Sequence, residues 1–172
     1  MRVFTATLLA LFCLITLSEA QPVDLSQIWP AHWIGHPEGP HREYAVFHFR
    51  KSFELEAVPD TLVVHSSGDN RYQLYVNGQL VTWGPQRGDL RHWFYESTNI
   101  APHLKPGGNV IVATVINYGS HPPDAQLTVQ TAFLLCADRS EYKFLNTNAS
   151  WAVNHNEAYA PNIVDNTQVR GY

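Results

Sequence analysis

Four side chains suited to holding a sugar ring lie close together in the chain: Trp83, Arg87, Asp89 and Trp93. An indole offers a flat apolar face to the C–H face of a pyranose, while a guanidinium donates hydrogen bonds to hydroxyls and a carboxylate accepts them. Binding sites for small ligands combine apolar walls with a few polar groups in this way. The cluster therefore predicts carbohydrate binding. A structural alternative stays open, because the indoles could close one end of the fold and Asp89 could pair with Arg87 or cap a turn.

Asp69 and Asn70 form a second candidate pair, since they follow Gly68 at the predicted end of a strand. Their oxygens could contact a sugar or ligate calcium, a cation that takes about six to eight oxygen ligands. Two residues fall short of that number, and an Asx-turn accounts for the pair as simply. We therefore predict no metal ligand and no bound cofactor, with calcium as the open alternative.

Catalysis by this segment is not predicted. Glycoside hydrolysis needs two carboxyl groups on opposite sides of a cleft. The nearest candidates, Asp69, Asp89 and Glu96, are placed at the edge of a small predicted domain, so we assign no catalytic residue.

The elements that position these residues have the patterns of β-strands. Apolar and polar residues alternate from Tyr72 to Val76, and Asn77-Gly78 tolerates positive φ, which together predict a tight hairpin ending at Pro85. Residues 109–117 are apolar on both alternating faces, which predicts a central strand covered on both sides. No segment of ten or more residues has helical periodicity. We therefore predict an all-β fold, a jelly-roll β-sandwich. The other predicted strands are Tyr44–Leu55, Thr61–Ser66, His92–Thr98 and Ala125–Ala137, with a helical turn at Ile100–Leu104.

Residues 1–20 have the pattern of a secretory signal. Arg2 precedes an apolar stretch from Val3 to Leu17, and small residues before the end predict cleavage after Ala20. The stretch is too short for an ordinary transmembrane helix, and no later one is apolar enough to cross a membrane. We therefore expect export to the periplasm or beyond the cell. Cleavage would leave Cys136 as the only cysteine, so no disulfide within the chain is predicted.

Charge excludes one class of partner. The chain carries 11 basic and 15 acidic residues, a net charge of −4, with the basic residues scattered along it. Nucleic-acid binding is dominated by basic side chains on phosphates, so we predict no nucleic-acid partner.

Composition divides the chain into four segments: the signal at 1–20, an irregular arm at 21–43, the sandwich at 44–145 and an Asn-rich segment at 146–172. The last segment is interpreted as a tail or as the start of a following domain. Because it ends without a finished element, we expect the polypeptide to continue past Tyr172.

Several short motifs, taken in order, resemble one known family. They are FRKSF at 49–53, DNRYQLYVNG at 69–78, GPQRGD at 84–89, APHLKPGGNVI at 101–111, and Asn117-Tyr118-Gly119. Together they resemble the N-terminal β-sandwich of bacterial α-L-rhamnosidases of glycoside hydrolase family 78, which is similar to galactose-binding-like jelly rolls. The likeness covers about Trp33 to Pro161, and GPQRGD is its most specific part.

The resemblance implies an exported multidomain enzyme that removes terminal L-rhamnose from glycans, with its catalytic acids in a separate (α/α) barrel. No motif here resembles that barrel, so the hydrolase activity would belong to a downstream domain of the same chain. Three functions stay open: a module that binds rhamnose-containing glycans, a structural packing domain of the enzyme, or a free-standing secreted lectin-like protein.

Overall fold

The computed structural model describes residues 22–123 and 126–161. Eight strands lie within them: β1 (Tyr44–Leu55), β2 (Val63–Asp69), β3 (Arg71–Val76), β4 (Gln79–Gly84), β5 (Glu96–Asn99), β6 (Gly107–Tyr118), β7 (Ala132–Ala137) and β8 (Ala152–His155). They form a five-stranded sheet, β4-β3-β6-β1-β8, and a three-stranded sheet, β5-β2-β7, with every pair antiparallel. The predicted all-β jelly-roll β-sandwich is confirmed.

The predicted signal at 1–20 lies outside the described residues. In the part of the chain that the structure describes, no helix is long and apolar enough to span a bilayer. The helical elements described there are two short 3₁₀ helices, Ala101–His103 and Ser140–Leu145.

The hairpin of β3 and β4 has the predicted turn. Asn77 and Gly78 both have positive φ, 50° and 82°, as a two-residue hairpin turn that matches the strand twist requires. The Asn77 side chain also secures the turn, because its Nδ2 donates to the carbonyl oxygen of His103 at 2.9 Å and its Oδ1 accepts from Val110 N at 3.0 Å.

The core lies between the two sheets and follows from strand alternation. Phe47 and Phe49 of β1 are buried while Arg50 is exposed, because successive side chains of a strand point to opposite faces. Strand β6 is central, between β3 and β1, as predicted. Its two faces differ, however: the side chains at Ile111, Ala113 and Val115 are buried, and the alternate ones are half-exposed. The prediction that both faces are covered was therefore wrong.

Three strand boundaries differ from the predicted ones by three residues or more. Strand β2 continues to Asp69 instead of ending at Ser66, β5 begins only at Glu96, and β7 begins at Ala132 instead of Ala125. The first and last differences share a cause: the Asp69 carboxylate accepts hydrogen bonds from the backbone of residues 129 and 130. That backbone is bound to a side chain rather than to a neighbouring strand.

The segments that flank the predicted sandwich are part of its packing. The arm crosses the three-stranded sheet, where Ile34 and Phe133 exchange backbone hydrogen bonds of 2.9 Å. At the other end, Trp151 is buried in the core and β8 pairs with β1. The five-stranded sheet therefore extends into the segment interpreted as a tail.

Cys136 is fully buried on β7. Burial raises the pKa of its thiol to about 11, so the reactive thiolate is scarce near neutrality.

In a Cys13→Ser variant, where Cys136 is the only thiol, we expect no reaction with Ellman's reagent at about pH 8 in the folded state and complete reaction in urea. Stoichiometric labelling of the folded chain would contradict this burial.

Candidate functional site

Four of the six predicted site residues line two separate depressions, and Asp89 and Asn70 line neither. The first, here called the sheet groove, has a volume of about 450 Å³ and contains Trp83 and Arg87. The second, the Trp93 depression, has a volume of about 400 Å³ and contains Trp93 and Asp69. They separate because β4 lies in one sheet and β5 in the other, so the loop between them crosses from sheet to sheet. The other residues that line the sheet groove are Val46, Arg71, Tyr72, Gln73, Thr114, Ile116, Tyr118, Pro123, Gln126 and Tyr159.

The sheet groove lies over the outer face of the five-stranded sheet. The register places one row of outward side chains across all five strands, because Gln73 is paired with both Trp83 and Thr114, and His48 with both Thr114 and Asn154. Side chains directly opposite each other on neighbouring strands are close enough to interact. The row therefore combines one indole with amides, a hydroxyl and an imidazole on a single surface.

Trp83 is the most prominent aromatic side chain of the groove. It is 66% exposed, although it sits in a strand. The Arg71 guanidinium carbon lies 5.8 Å from the centre of its ring, within the range of a cation–π contact. The guanidinium thus lies over the indole at the open end of β3 and β4.

Hydrogen bonds hold the polar side chains of the groove floor. The His48 imidazole bridges Thr114 Oγ1 and the Asn156 amide, each at 3.0 Å. Tyr75 donates its hydroxyl to Gln73 Oε1 at 2.9 Å, which leaves the Gln73 amide NH₂ directed elsewhere. Such fixed polar groups are what orient a ligand in a largely preformed site.

Asp89 holds the loop after β4 in shape through hydrogen bonds within the loop. The Asp89 carboxylate accepts hydrogen bonds from the backbone N–H of Arg91 at 2.7 Å and of His92 at 2.9 Å, and contacts the His92 ring nitrogen at 2.8 Å. These contacts, led by the one with the His92 side chain, lower the pKa of Asp89. Gly88 is required beside it, because a Cβ there would overlap the His92 carbonyl oxygen and the Phe94 ring. Asp89 therefore caps a turn, and it lies outside the lining of both depressions.

The Trp93 depression is more apolar. The indole N–H of Trp93 donates to Ser67 Oγ at 3.0 Å, and the Trp93 ring contacts Trp33 edge-on, with 6.1 Å between the ring centres. Leu90 and Val129 complete the walls and are 54% and 51% exposed. Trp93 is thus fixed on one side by the sandwich and open on the other.

Asp69 and Asn70 are buried and use their polar atoms inside the fold. Asp69 Oδ2 accepts from Val129 N at 2.6 Å and Gln130 N at 2.9 Å, while Oδ1 accepts from Asn70 Nδ2 at 2.9 Å. Asn70 also donates to the Leu127 carbonyl oxygen and accepts from Tyr118 N. A calcium ligand would need free oxygens, and here they are engaged. Among the described residues, no three His, Cys, Asp or Glu side chains lie together as a metal site.

Sequence analysis missed Arg71, Gln73 and Tyr159 as groove residues. Arg71 and Gln73 occupy the polar positions of the β3 alternation, and the hairpin register sets Gln73 opposite Trp83. That register includes a β-bulge between Leu74 and Tyr75, which the Asn77-Gly78 turn alone does not predict. The alternation could therefore have pointed to Arg71 and Gln73, but not to the pairing of Gln73 with Trp83. Tyr159 lies beyond the last strand, where no pattern predicts its position.

Comparison with known proteins was made by sequence and by fold. No family model and no curated protein matches the sequence. A solved structure of the family 78 rhamnosidase of Bacillus sp. GL1 is similar, with 27% identity over 75% of this chain and a TM-score of 0.66. The resemblance to the α-L-rhamnosidases is confirmed. The match covers 14% of the Bacillus chain, so the present chain spans a small part of the rhamnosidases that it resembles.

Two more distant structures share the fold. The Streptomyces avermitilis α-L-rhamnosidase, solved with L-rhamnose, is 18% identical over 84% of this chain and 13% of its own, with a TM-score of 0.52. A lectin of Pleurotus ostreatus is 20% identical over 85% of this chain and 41% of its own, with a TM-score of 0.53. The same sandwich thus occurs in rhamnosidases and in a lectin.

Proposed function

We propose that this chain is a non-catalytic carbohydrate-binding module of an exported α-L-rhamnosidase-like glycoside hydrolase that acts on rhamnose-containing glycans. The observation that carries the proposal is the exposed Trp83 indole beside a guanidinium, over a groove lined with amides and hydroxyls. The similarity to the Bacillus rhamnosidase and the shared fold of a lectin support it.

Binding would divide between stacking and hydrogen bonds. The apolar face of the sugar lies on Trp83, and its hydroxyls meet Gln73, Gln126 and Arg87 along the groove. A volume of about 450 Å³ falls within the range of about 300–1,000 Å³ that is usual for small-ligand sites. The two carboxyl groups that hydrolysis needs are assigned to another domain of the parent enzyme.

Removing the indole tests the proposal. Trp83→Ala is expected to weaken the affinity for L-rhamnose at least about tenfold, a loss of about 1.4 kcal/mol, because the stacking surface is lost. Isothermal titration calorimetry of the 172-residue chain, with and without calcium, measures it. Trp33→Ala in the Trp93 depression is the matched control and should leave the affinity unchanged. The proposal fails if the unaltered chain gives no heat at millimolar L-rhamnose in either buffer.

The Trp93 depression favours a second candidate function, packing against a further domain of the parent enzyme. Trp33, Leu90 and Val129 expose apolar surface side by side there, and contiguous apolar patches mark interaction sites. In that case Trp33 should be protected from oxidative labelling in the longer enzyme and labelled in the 172-residue chain. Equal labelling in both would argue against packing at this surface.

A further inference from the structure

We infer that the sheet groove is built for an anionic sugar, a uronate whose carboxylate pairs with Arg71 while its ring lies on Trp83. The inference rests on the proposed function of the groove as a sugar site, and it specifies the charge of the ligand. It is carried by the surroundings of Arg71.

Arg71 has no carboxylate partner within the described residues. It opens β3 and is half-buried, and its described neighbour is the Trp83 ring at 5.8 Å. The described ion pairs involve other residues, such as Arg139 with Asp138 and Glu141. A partly desolvated guanidinium without an anion is unfavourable, because burial of a charge has to be offset by a partner. The side chain therefore has an unused capacity for one carboxylate.

Arg71 stands in the groove of an acidic chain. The described residues that line the groove include neither Asp nor Glu, whereas the chain as a whole carries a net charge of −4. Glu96, whose charge acts on Tyr72, belongs to β5 in the other sheet and is not in this lining. A neutral sugar would satisfy some donors of Arg71 but would leave its charge unbalanced.

The spacing of the two side chains suits a hexuronate. Its carboxylate is attached directly to the pyranose ring, so a ring that lies on part of the Trp83 indole can direct its carboxylate to the Arg71 guanidinium, which lies over the indole at 5.8 Å from its centre. A guanidinium binds a carboxylate through two parallel N–H···O bonds, which are stronger than bonds to a neutral hydroxyl. A single uronate residue can thus contact Trp83 with its ring and Arg71 with its carboxylate.

The test compares two ligands that differ only at C6, methyl α-D-galacturonide and methyl α-D-galactoside, by calorimetry on the 172-residue chain. We expect the uronide to bind at least about tenfold more tightly at low salt, and the difference to shrink as salt screens the pair. Arg71→Gln should abolish the preference, and Arg71→Lys should retain part of it because the charge remains. Arg50→Gln, exposed on the same sheet face but outside the groove lining, is the control and should behave as the unaltered chain.

The outcomes separate this inference from the proposed function. Equal affinity for the two glycosides would overturn the inference and leave a neutral-sugar site in place. A preference that survives Arg71→Gln would overturn the assignment of the carboxylate to Arg71. Absence of binding by both glycosides and by L-rhamnose would overturn the inference and the proposed function together.

Discussion

Replacing Asp69 with alanine is expected to lower the free energy of unfolding by about 3 kcal/mol, through loss of the carboxylate that joins β2 to residues 129 and 130. The side chain is 2% exposed, so the three N–H donors that it satisfies would be left without a partner inside the fold. Each unsatisfied buried donor costs about 1–3 kcal/mol. Asp69→Asn should cost less, because the amide keeps one acceptor oxygen for the backbone but sets its NH₂ against that of Asn70.

Asp89 provides the matched control for this measurement. Its carboxylate also accepts two backbone N–H bonds, yet it lies in an exposed loop, where water replaces a lost acceptor. Urea denaturation followed by circular dichroism should show a large drop in midpoint for Asp69→Ala and a midpoint close to the unaltered chain for Asp89→Ala. If both variants have the same urea midpoint, the contribution of Asp69 to stability does not come from its burial. A midpoint that rises with calcium in the unaltered chain and not in Asp69→Ala would instead restore the calcium alternative.

Asp69 also shows where local sequence patterns stop being informative. Ser67, Gly68, Asp69 and Asn70 have a composition typical of a turn, and the predicted strand was therefore ended at Ser66. In the structure the partners of Asp69 are 60 and 61 residues further along the chain. A contact of that range leaves no trace in the neighbouring residues, so strand β2 was ended too early and β7 was started too early.

The turn of the hairpin, in contrast, is encoded locally and was predicted correctly. Alternation along β3 and the Asn77-Gly78 turn fix the faces of β3 and the pairs next to the turn. A β-bulge between Leu74 and Tyr75, which was not predicted, shifts the pairs that follow. Trp83, predicted as a residue that stacks on sugar, is 66% exposed. Its assignment to one site with Trp93 did not hold, because the two residues belong to different depressions. Whether β4 and β5 share a sheet depends on the whole topology, which no local pattern contains.

Phe133→Ala is expected to destabilise the chain most among single truncations of the core, by about 3–5 kcal/mol. The Phe133 ring is fully buried on β7 and lies 5.7–5.8 Å from the ring centres of Phe49, Tyr72 and Trp151. It therefore joins the three-stranded sheet to two strands of the five-stranded one and to the segment before β8. Removing it leaves a cavity that neighbours from three elements would have to close, and packed sheets adjust little to fill a cavity.

The loss of the Phe133 ring is also expected to affect the sheet groove, because β3 contributes to both the core and the groove. Tyr72 packs on Phe133 with its inner side, while its neighbours Arg71 and Gln73 line the groove on the outer side. Chemical denaturation of Phe133→Ala should thus show the large loss, and calorimetry should show weaker sugar binding. Phe144→Ala is the control: that ring is 39% exposed and contacts the rings of Phe53 and Tyr142. Its removal should cost clearly less than that of Phe133 and leave binding unchanged. Equal destabilisation by the two variants would mean that the sheets are held together elsewhere than at Phe133.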